Sequence, residues 1–330
     1  METLLLDGDA VAASAALPPI IEAVEDAFAA YERGDATMPP KSYIDLPQHD
    51  GDFRSMPAYI DADDWEAAAV KWVNSHPHNP DRHDLPTVIG TVIYSDPATA
   101  FPLAVMDGTR LTAVRTGAAA AVATDHLAVP DATSLGLVGA GTQAGTQLEA
   151  IATVRDVERV VVSDAVEGRV AAFADRYGDR FAVRGGSVAE AAACDVVSTT
   201  TPVESPLVER GMVGEHTHVN AMGADAAGKH ELADDLLLDA KVVIDDYDQC
   251  VHSGEINVPY AAGVLTDGDI HAELGAVVTG AVDGRTAADG LTVFDSTGLA
   301  IQDVAAARIV YERATESGDG TPFDLLGLDG

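Results

Sequence analysis

Residues 134–144, "SLGLVGAGTQA", decide the fold, because a short apolar run ends here in two closely spaced glycines. The run predicts a buried strand, and the residues from Thr142 onward predict a helix. A second apolar run, "RVVVSD", ends at Asp164, at the spacing expected for the ribose-binding acid of a dinucleotide-binding unit. The stretch therefore predicts a dinucleotide-binding fingerprint of the form G-x-G-x-x-A.

Each residue of this fingerprint has a physical role. Gly139 permits the tight turn, Gly141 lets the backbone approach the pyrophosphate, and the small Ala144 allows close packing of helix on strand. Asp164 can accept a hydrogen bond from the ribose 2′-hydroxyl of NAD and would repel the 2′-phosphate of NADP. NAD is therefore the expected cofactor, although Arg169 is a nearby cation that moderates the preference.

The chain is long enough for two domains, and its two parts show different patterns. Residues 18–33 predict one amphipathic helix that stops at Gly34, and four closely spaced β-type runs within residues 53–107 suggest an antiparallel sheet. From about residue 134, strand-type runs alternate with Ala-rich helical stretches, which indicates a parallel, doubly wound sheet. The expected fold class is α/β, with a Rossmann domain and a smaller α+β domain.

The composition is strongly acidic, with 54 Asp and Glu against 19 Lys and Arg and a formal net charge of −35. Nucleic acid and anionic membrane are poor partners for such a surface. The acid is spread along the whole chain and only four residues are lysine. This pattern suggests a surface adapted to molar salt and hence a halophilic source.

The remaining composition points to a cytoplasmic protein without a metal. No apolar stretch has the length of a membrane span, and the acidic start "METLLLDGDA" lacks the basic segment of a signal peptide. Cys194 and Cys250 are too few for a disulfide framework or a cysteine-ligated zinc site, so we expect them to be packing residues. No zinc motif accompanies the histidines of "SHPHN", "RHD" and "EHTHVN", which we expect to be solvated or capping: His76, His78, His83, His216 and His218.

Seven motifs occur in one order along the chain: "KWVNSHPHN", "PLAVMDGTRLTAVRTGAAAAVATDHLA", "GLVGAGTQA", "STTTP", "HVNAMGAD", "GEI" and "LTVFDSTGLAIQDVAAA". Together they resemble the ornithine cyclodeaminase/mu-crystallin family, from about Met38 to Ala314. Members of this family perform hydride chemistry at an amino- or imino-bearing carbon. They include ornithine cyclodeaminases, archaeal-type alanine dehydrogenases, ketimine reductases and opine-type synthases, so the resemblance implies a reaction class more firmly than a substrate.

The resemblance implies a homodimer of two-domain subunits, with NAD(P) in the Rossmann domain and the substrate in the cleft. The C-terminal helix, here about 298–315, returns to the first domain in this family. A discontinuous substrate-binding and dimerisation domain (1–118 and 299–330) and a Rossmann domain (119–298) are thus expected. Fingerprint and resemblance together assign the cofactor site to Arg115, Thr116, Gly139, Ala140, Gly141, Thr142, Gln143, Asp164, Thr199, Thr200, Thr201, Met222, Gly223, Ser296 and Gly298. The three threonines could equally cap the end of a strand.

Four cationic residues of the first domain are candidates to bind the carboxylate of an amino or keto acid: Lys41, Arg54, Lys71 and Arg115. Lys71 lies in the apolar run "AAAVKWV", where the alternative is a lysine whose stem packs at an edge while its ammonium reaches water. Arg115 lies among small apolar residues, and the alternative is a helix-surface arginine. Lys41 follows two prolines and could also be a solvated loop lysine.

Arg54 distinguishes this chain from the ornithine-specific members of the family that it resembles. In ornithine cyclodeaminases a glutamate, suited to a distal ammonium, stands two residues before "MP"; here "FRSMPAY" has Arg54 at that place, as in the family's alanine dehydrogenases. An unpaired cation there would repel the δ-ammonium of ornithine, so L-alanine is the expected substrate. For Arg54 itself the alternative is a surface arginine on an edge strand. The alternatives are ornithine cyclodeamination, ketimine reduction and a mu-crystallin-like protein that binds NAD and a ligand without much turnover.

Asp225, at the end of "HVNAMGAD", matches the family's catalytic aspartate. It follows a β-type run, where loops at the carboxyl ends of parallel strands form the cofactor crevice, although an exposed turn aspartate is the plainer alternative. The resemblance implies that Lys71 and Arg54 hold the alanine carboxylate while the Cα hydride passes to the nicotinamide. Asp225 would accept the proton from the amine or from the attacking water. Lys71 and Asp225 are the expected catalytic residues.

The net charge of −35 predicts that the fold depends on salt. At molar ionic strength the screening length falls to about 3 Å, which removes most of the repulsion between surface carboxylates. We expect the Tm to rise by several degrees, at about 2–4 °C per kcal/mol, between low and molar KCl. Thermal unfolding followed by circular dichroism measures this, and an unchanged Tm would contradict it.

Overall fold

The computed structural model describes residues 2–327 and divides into two compact units. Unit 1 comprises Met1–Arg115 and Leu299–Gly330, and unit 2 comprises Thr116–Gly298. The first division therefore falls after residue 115, inside a helix, and not after residue 118 as expected from the sequence. The second falls after residue 298.

The strands, in chain order, are β1 (Thr3–Leu6), β2 (Ala36–Thr37), β3 (Ser42–Leu46), β4 (Gly51–Asp61), β5 (Glu66–Ser75), β6 (Val88–Ser95), β7 (Pro102–Asp107), β8 (Ser134–Val138), β9 (Arg159–Ser163), β10 (Ala182–Gly185), β11 (Val196–Thr199), β12 (His218–Ala221), β13 (Lys241–Ile244), β14 (Ile270–Glu273), β15 (Thr292–Asp295) and β16 (Thr321–Phe323). The α-helices are α1 (Gly8–Ser14), α2 (Leu17–Arg33), α3 (Asn79–His83), α4 (Gly108–Leu127), α5 (Thr142–Val154), α6 (Glu167–Tyr177), α7 (Val188–Ala192), α8 (Asp234–Asp239), α9 (Tyr247–Ser253), α10 (Asn257–Ala261), α11 (Leu274–Val278) and α12 (Ala300–Ser317). Short 3₁₀ turns occur at Pro47–His49, Arg210–Met212 and Asp267–Asp269.

Unit 1 is built on an eight-stranded sheet in the order β16-β1-β7-β6-β5-β4-β2, with β3 paired to β4. The runs predicted from the sequence form β4, β5, β6 and β7, and neighbouring strands among them are antiparallel, as expected. Two helices, α2 and α12, pack against each other, and α12 also packs on β4 and β5. The C-terminal helix thus belongs to the same core as the N-terminal strands.

The helix predicted over residues 18–33 is α2, and its ends follow from local chemistry. Prolines occupy its first turn, where no backbone N–H is needed, and Gly34 ends it in the left-handed conformation at φ 82°. Val24 and Phe28 are fully buried on its inner face. Tyr31, which shares their spacing, is half-buried.

The register of β4 and β5 places Lys71 and Arg54 on one face of the sheet. Met56 lies opposite Lys71 and Arg54 lies opposite Val73 in the antiparallel pair. Residues directly opposite each other point to the same side, so Lys71 and Arg54 are diagonal neighbours. This is the face on which α12 packs.

Unit 2 is a doubly wound Rossmann domain, as the sequence predicted. Its eight strands are parallel throughout, in the order β10-β9-β8-β11-β12-β15-β13-β14. The strand order reverses between β8 and β11, which is the topological switch point where such sheets bind ligands. A Cβ on Gly136, in the middle of β8, would collide with the Ala191 carbonyl, so α7 packs directly on the central strand.

Within residues 2–327, no helix has both the length and the apolar character needed to cross a membrane.

Candidate active site

The centre of unit 1 is an ion pair between two buried side chains, Lys71 from β5 and Asp303 from α12. The Lys71 Nζ lies 2.8 Å from Asp303 Oδ1 and 2.7 Å from Oδ2, and it also donates to Thr112 Oγ1 at 3.3 Å. Only 1% of the Lys71 side chain and 2% of the Asp303 side chain are exposed. Burial, with a smaller contribution from the positive charges of Arg115 and Lys41, lowers the Lys71 pKa to about 7 against the opposing effect of Asp303.

Arg115, from α4, binds the same carboxylate. Its Nε donates to Asp303 Oδ1 at 3.0 Å and its Nη1 donates to Gln302 Oε1 at 2.9 Å. Two cationic side chains therefore share one buried carboxylate, an arrangement that favours the approach of a further anion. The buried Gln302 Nε2, beside them, has no hydrogen-bond partner among the described residues.

Arg54 does not match its expected environment. The sequence suggested an unpaired cation, but Arg54 Nε donates to Asp52 Oδ2 at 2.9 Å and Nη2 lies 2.8 Å from the same oxygen. Asp52 and Arg54 are two residues apart on one strand, so their side chains share a face. Asp52 is itself fixed by the Ser75 N–H at 3.0 Å. The expectation of an unpaired cation is thus wrong. The expected repulsion of a distal ammonium is weaker, because the Asp52 carboxylate offsets the charge of Arg54.

Two further features define the surroundings of these cations. Arg54 is not on a sheet edge, since β3 and β5 both pair with β4 alongside it, and its guanidinium lies 5.5 Å from the ring centroid of Tyr43. Lys41 lies just before β3 and is half-buried. Its charge acts on Lys71, so unit 1 brings Lys41 into the electrostatic neighbourhood of the buried pair.

In unit 2, the glycine loop follows β8 as the fingerprint predicts. Gly139 adopts φ 105°, and a Cβ there would lie 2.7 Å from Thr200 Oγ1. A Cβ on Gly141 would meet no atom within 4 Å, so the backbone is open at the start of α5. A helix N-terminus with free N–H groups and an open approach fits a bound pyrophosphate. Ala144 is fully buried, as close packing of α5 requires.

Asp164 stands at the end of β9 and contacts this loop. Its Oδ2 accepts the Ala140 N–H at 2.8 Å and its Oδ1 accepts the Val166 N–H at 2.7 Å. Arg169 Nη1 lies 3.8 Å from Oδ2, and only 8% of the Asp164 side chain is exposed. A carboxylate has about four acceptor positions, so Asp164 retains capacity for a ribose hydroxyl.

The other candidate cofactor residues lie at the carboxyl ends of β11, β12 and β15 or on the loops that follow, and carboxyl groups hold these loops. Glu231 accepts from Thr201 and Gly223, and Asp245 accepts from Ser296 Oγ and the Gly298 N–H, both at 2.9 Å. The Met222 N–H donates to the Thr199 carbonyl at 3.0 Å. Burial raises the pKa of Glu231, raises that of Glu255 well above its usual range, and raises that of Asp295 to about 7.

Asp225 and Thr116 complete the predicted residues of unit 2. Asp225 follows β12 and is about one-third exposed, and its Oδ1 accepts from Lys229 Nζ at 2.6 Å. Thr116 is buried, and its carbonyl accepts from Gln147 Nε2 at 3.3 Å. Gln143 and Thr142 form the first turn of α5.

One histidine, His218, is not in the solvated or capping position expected from the sequence. His218 is fully buried in β12, with its ring nitrogens 3.0 Å from Thr292 Oγ1 and 3.1 Å from Asn220 Oδ1, so it is neither solvated nor capping. Burial lowers its pKa to about 3. His78 pairs with Asp50 at the surface, 3.0 Å apart. Among residues 2–327, no three His, Cys, Asp or Glu side chains are grouped as metal ligands would be.

Several residues of both units were not identified from the sequence: Asp52, Asp303, Gln302, Glu231 and Asp245. Asp303 had a recognisable signal, because "IQDV" places polar residues in an otherwise apolar helical run. Asp52 and Glu231 had none, since each is one acid among 54.

The chain matches the model of the ornithine cyclodeaminase/mu-crystallin family over residues 1–318. It is 45% identical to an alanine dehydrogenase of Archaeoglobus fulgidus over 99% of this chain and 100% of that protein. Its structure resembles an archaeal alanine dehydrogenase dimer with bound NAD (TM-score 0.93, 44% identity, 99% of this chain and 100% of the other). It also resembles the Δ1-pyrroline-2-carboxylate reductase of Thermococcus litoralis in complex with NADH and L-proline (TM-score 0.92, 36% identity, 97% and 99%).

The lowered pKa of Lys71 predicts a pH-dependent stability. Between about pH 7 and pH 10 the unfolded chain holds a proton on Lys71 that the folded protein has lost, so the free energy of unfolding rises with pH. Relative to Lys71→Met, the wild type should gain about 1 kcal/mol per pH unit in this window. Denaturant unfolding near pH 7 and near pH 9.5 measures the gain. Lys241→Met, which removes a lysine paired with Asp289, is the matched control, and an equal gain relative to both variants would contradict the prediction.

Proposed function

We propose, from the premise that this chain belongs to the ornithine cyclodeaminase/mu-crystallin family, that it catalyses the reversible NAD-dependent deamination of L-alanine to pyruvate and ammonium. One observation carries the proposal: Lys71 and Arg115 share the single buried carboxylate of Asp303. When Lys71 is protonated, the two cations exceed the one anion between them. A substrate carboxylate would balance that excess.

The residues of unit 1 would bind and orient the amino acid. Lys71 and Arg115 donate charge-assisted hydrogen bonds to the substrate carboxylate, and burial makes each of these bonds stronger than it would be in water. Lys41 and the Arg54–Asp52 pair lie near them, and they would border the substrate side chain. The methyl group of alanine requires neither a cation nor an anion beside it.

The residues of unit 2 would hold NAD, which supplies the hydride acceptor for the substrate Cα–H. The open backbone at Gly141 and the Asp164 carboxylate fit a dinucleotide pyrophosphate and its ribose. When the Cα hydride leaves, the substrate becomes an iminium, and a water molecule attacks the same carbon. Asp225 would accept the proton that the amine or the water releases, and hydrolysis then yields pyruvate and ammonium.

Ornithine cyclodeamination is the second candidate, and the Arg54–Asp52 pair favours it. An unpaired arginine would exclude a distal ammonium, but the Asp52 carboxylate lies within 2.9 Å of the guanidinium and offsets its charge. L-Alanine is preferred because the paired carboxylate is already occupied by Arg54 and by the Ser75 N–H. A distal ammonium would have to compete with both.

We also propose that the active form is a homodimer. The face of the unit 1 sheet opposite Lys71 exposes a group of large apolar side chains: Ile44, Trp72, Ile89 and Ile93. Phe53 stacks on Trp72 within the same face, with ring centroids 5.1 Å apart. Such a contiguous apolar patch suits a second copy of the same chain, and the similar archaeal alanine dehydrogenase is a dimer.

The cofactor preference can be tested at Asp164. The carboxylate accepts a ribose hydroxyl and repels a 2′-phosphate, so kcat/KM should be higher with NAD than with NADP. Asp164→Ser removes the repulsion and should reduce the ratio by about tenfold or more. Glu167→Gln, in the first turn of α6, is the charge-matched control and should leave the ratio unchanged. A wild type that prefers NADP would refute the assignment.

The substrate can be tested by incubating the protein with NAD and either L-alanine or L-ornithine in molar KCl and identifying the products. We expect pyruvate from alanine. Lys71→Ala and Arg115→Ala should each lower kcat/KM for alanine by about 10- to 100-fold, the effect of a lost charge-assisted hydrogen bond. Lys241→Ala should retain the wild-type value. Proline from ornithine, with no pyruvate from alanine, would overturn the substrate and leave the cofactor assignment standing.

A further inference from the structure

Glu231 connects two loops that carry candidate cofactor residues. Its Oε1 accepts the Thr201 N–H at 2.7 Å and the Thr201 hydroxyl at 2.6 Å, and its Oε2 accepts the Gly223 N–H at 3.1 Å. Thr201 lies after β11 and Gly223 lies after β12, on neighbouring strands of the sheet. One carboxylate therefore sets the separation of the two loops.

The Glu231 carboxylate lies too close to Gly223 for any residue with a side chain at position 223. A Cβ on Gly223 would collide with the Glu231 carboxylate and with the Thr201 carbonyl, so only glycine fits against this side chain. Glu231 is completely buried. A buried carboxylate without hydrogen bonds is very costly, and these three donors are what makes its burial possible.

Glu231 is in turn held by a second carboxylate. Glu255 Oε1 accepts the N–H groups of Glu231 at 2.8 Å and of Leu232 at 2.6 Å. The Glu255 N–H then donates to Asp295 Oδ1 at 2.8 Å, at the end of β15. Asp295 at the end of β15 thus holds the Glu255 backbone, and the Glu255 carboxyl group holds the Glu231 backbone, each through N–H to carboxyl hydrogen bonds.

We propose that Glu231 is a positioning residue, which holds the loops after β11 and β12 at the separation that cofactor binding requires. The proposal rests on the proposed NAD-dependent function. Glu231 acts through Thr201 and Gly223, whose exposed atoms would face the cofactor. It contributes no atom to the reaction.

The test compares Glu231→Gln with a matched control in the same domain. The amide keeps the shape of the side chain but replaces one acceptor oxygen with a donor, which faces Thr201 or Gly223. Asp195→Asn makes the same change at the amino ends of β8 and β11, away from the candidate cofactor residues. There Asp195 accepts from the Thr133 N–H, the Ser134 N–H and the Ser134 hydroxyl at 3.0, 2.9 and 2.7 Å. Both variants should lower the Tm.

The readout that separates positioning from stability is the Kd for NAD, measured by calorimetry below the Tm of every variant. We expect Glu231→Gln to raise the Kd by about tenfold or more, and Asp195→Asn to leave it unchanged. At saturating NAD, Glu231→Gln should lower kcat while the KM for L-alanine stays near the wild-type value, because unit 1 holds the substrate carboxylate.

The outcomes are distinct. An unchanged Kd in Glu231→Gln, or an equal increase in both variants, would overturn the inference. If Glu231→Gln does not fold, Glu255→Gln decides, because it replaces one of the acceptor oxygens that hold the Glu231 backbone and should raise the Kd in the same direction by a smaller factor. A wild-type Kd in that variant would also overturn it. A wild type that does not bind NAD would instead refute the proposed function, and the inference with it.

Discussion

The buried ion pair between Lys71 and Asp303 is the interaction on which unit 1 depends. Neither charge could be buried alone, since an uncompensated buried charge costs about 3–5 kcal/mol or more. The two residues come from opposite ends of the chain, and their bond fixes α12 on the face formed by β4 and β5. The same carboxylate orients Arg115. One interaction therefore joins the fold of the unit to the arrangement of its cations.

Unit 2 accommodates its buried carboxyl groups by a different means. Asp164, Glu231, Glu255 and Asp295 each accept backbone N–H groups of loops at the carboxyl edge of the parallel sheet. Burial raises the pKa of the last three, and the peptide N–H groups oppose that rise without the help of a cation. In a chain with 54 acids and 19 bases, this leaves the few cationic side chains for other tasks. The same bonds hold the loops that carry the candidate cofactor residues.

The Arg54–Asp52 pair shows how one neighbouring carboxylate changes the net charge that a residue presents. From the sequence alone, Arg54 predicts a positive charge beside the substrate side chain. With Asp52 Oδ2 within 2.9 Å, the pair presents little net charge, and its Tyr43 neighbour adds an aromatic surface. Under the proposed function, discrimination between substrates would depend on which acceptor positions of Asp52 stay occupied, and not on simple charge repulsion by Arg54.

The sequence by itself determined the Rossmann domain, the antiparallel runs β4 to β7 and the helix α2, because periodicity, glycine spacing and local caps are properties of short segments. It also identified Lys71 as unusual, because a lysine in an apolar run has no solvent-facing pattern to join. The partners of these residues were decided only by the tertiary structure. Asp303 meets Lys71 across 232 positions of sequence, and β15 enters the sheet between β12 and β13 although it follows both. His218 was misjudged for the same reason: its burial depends on Thr292 and Asn220, and a local pattern cannot show which distant strand will cover a side chain.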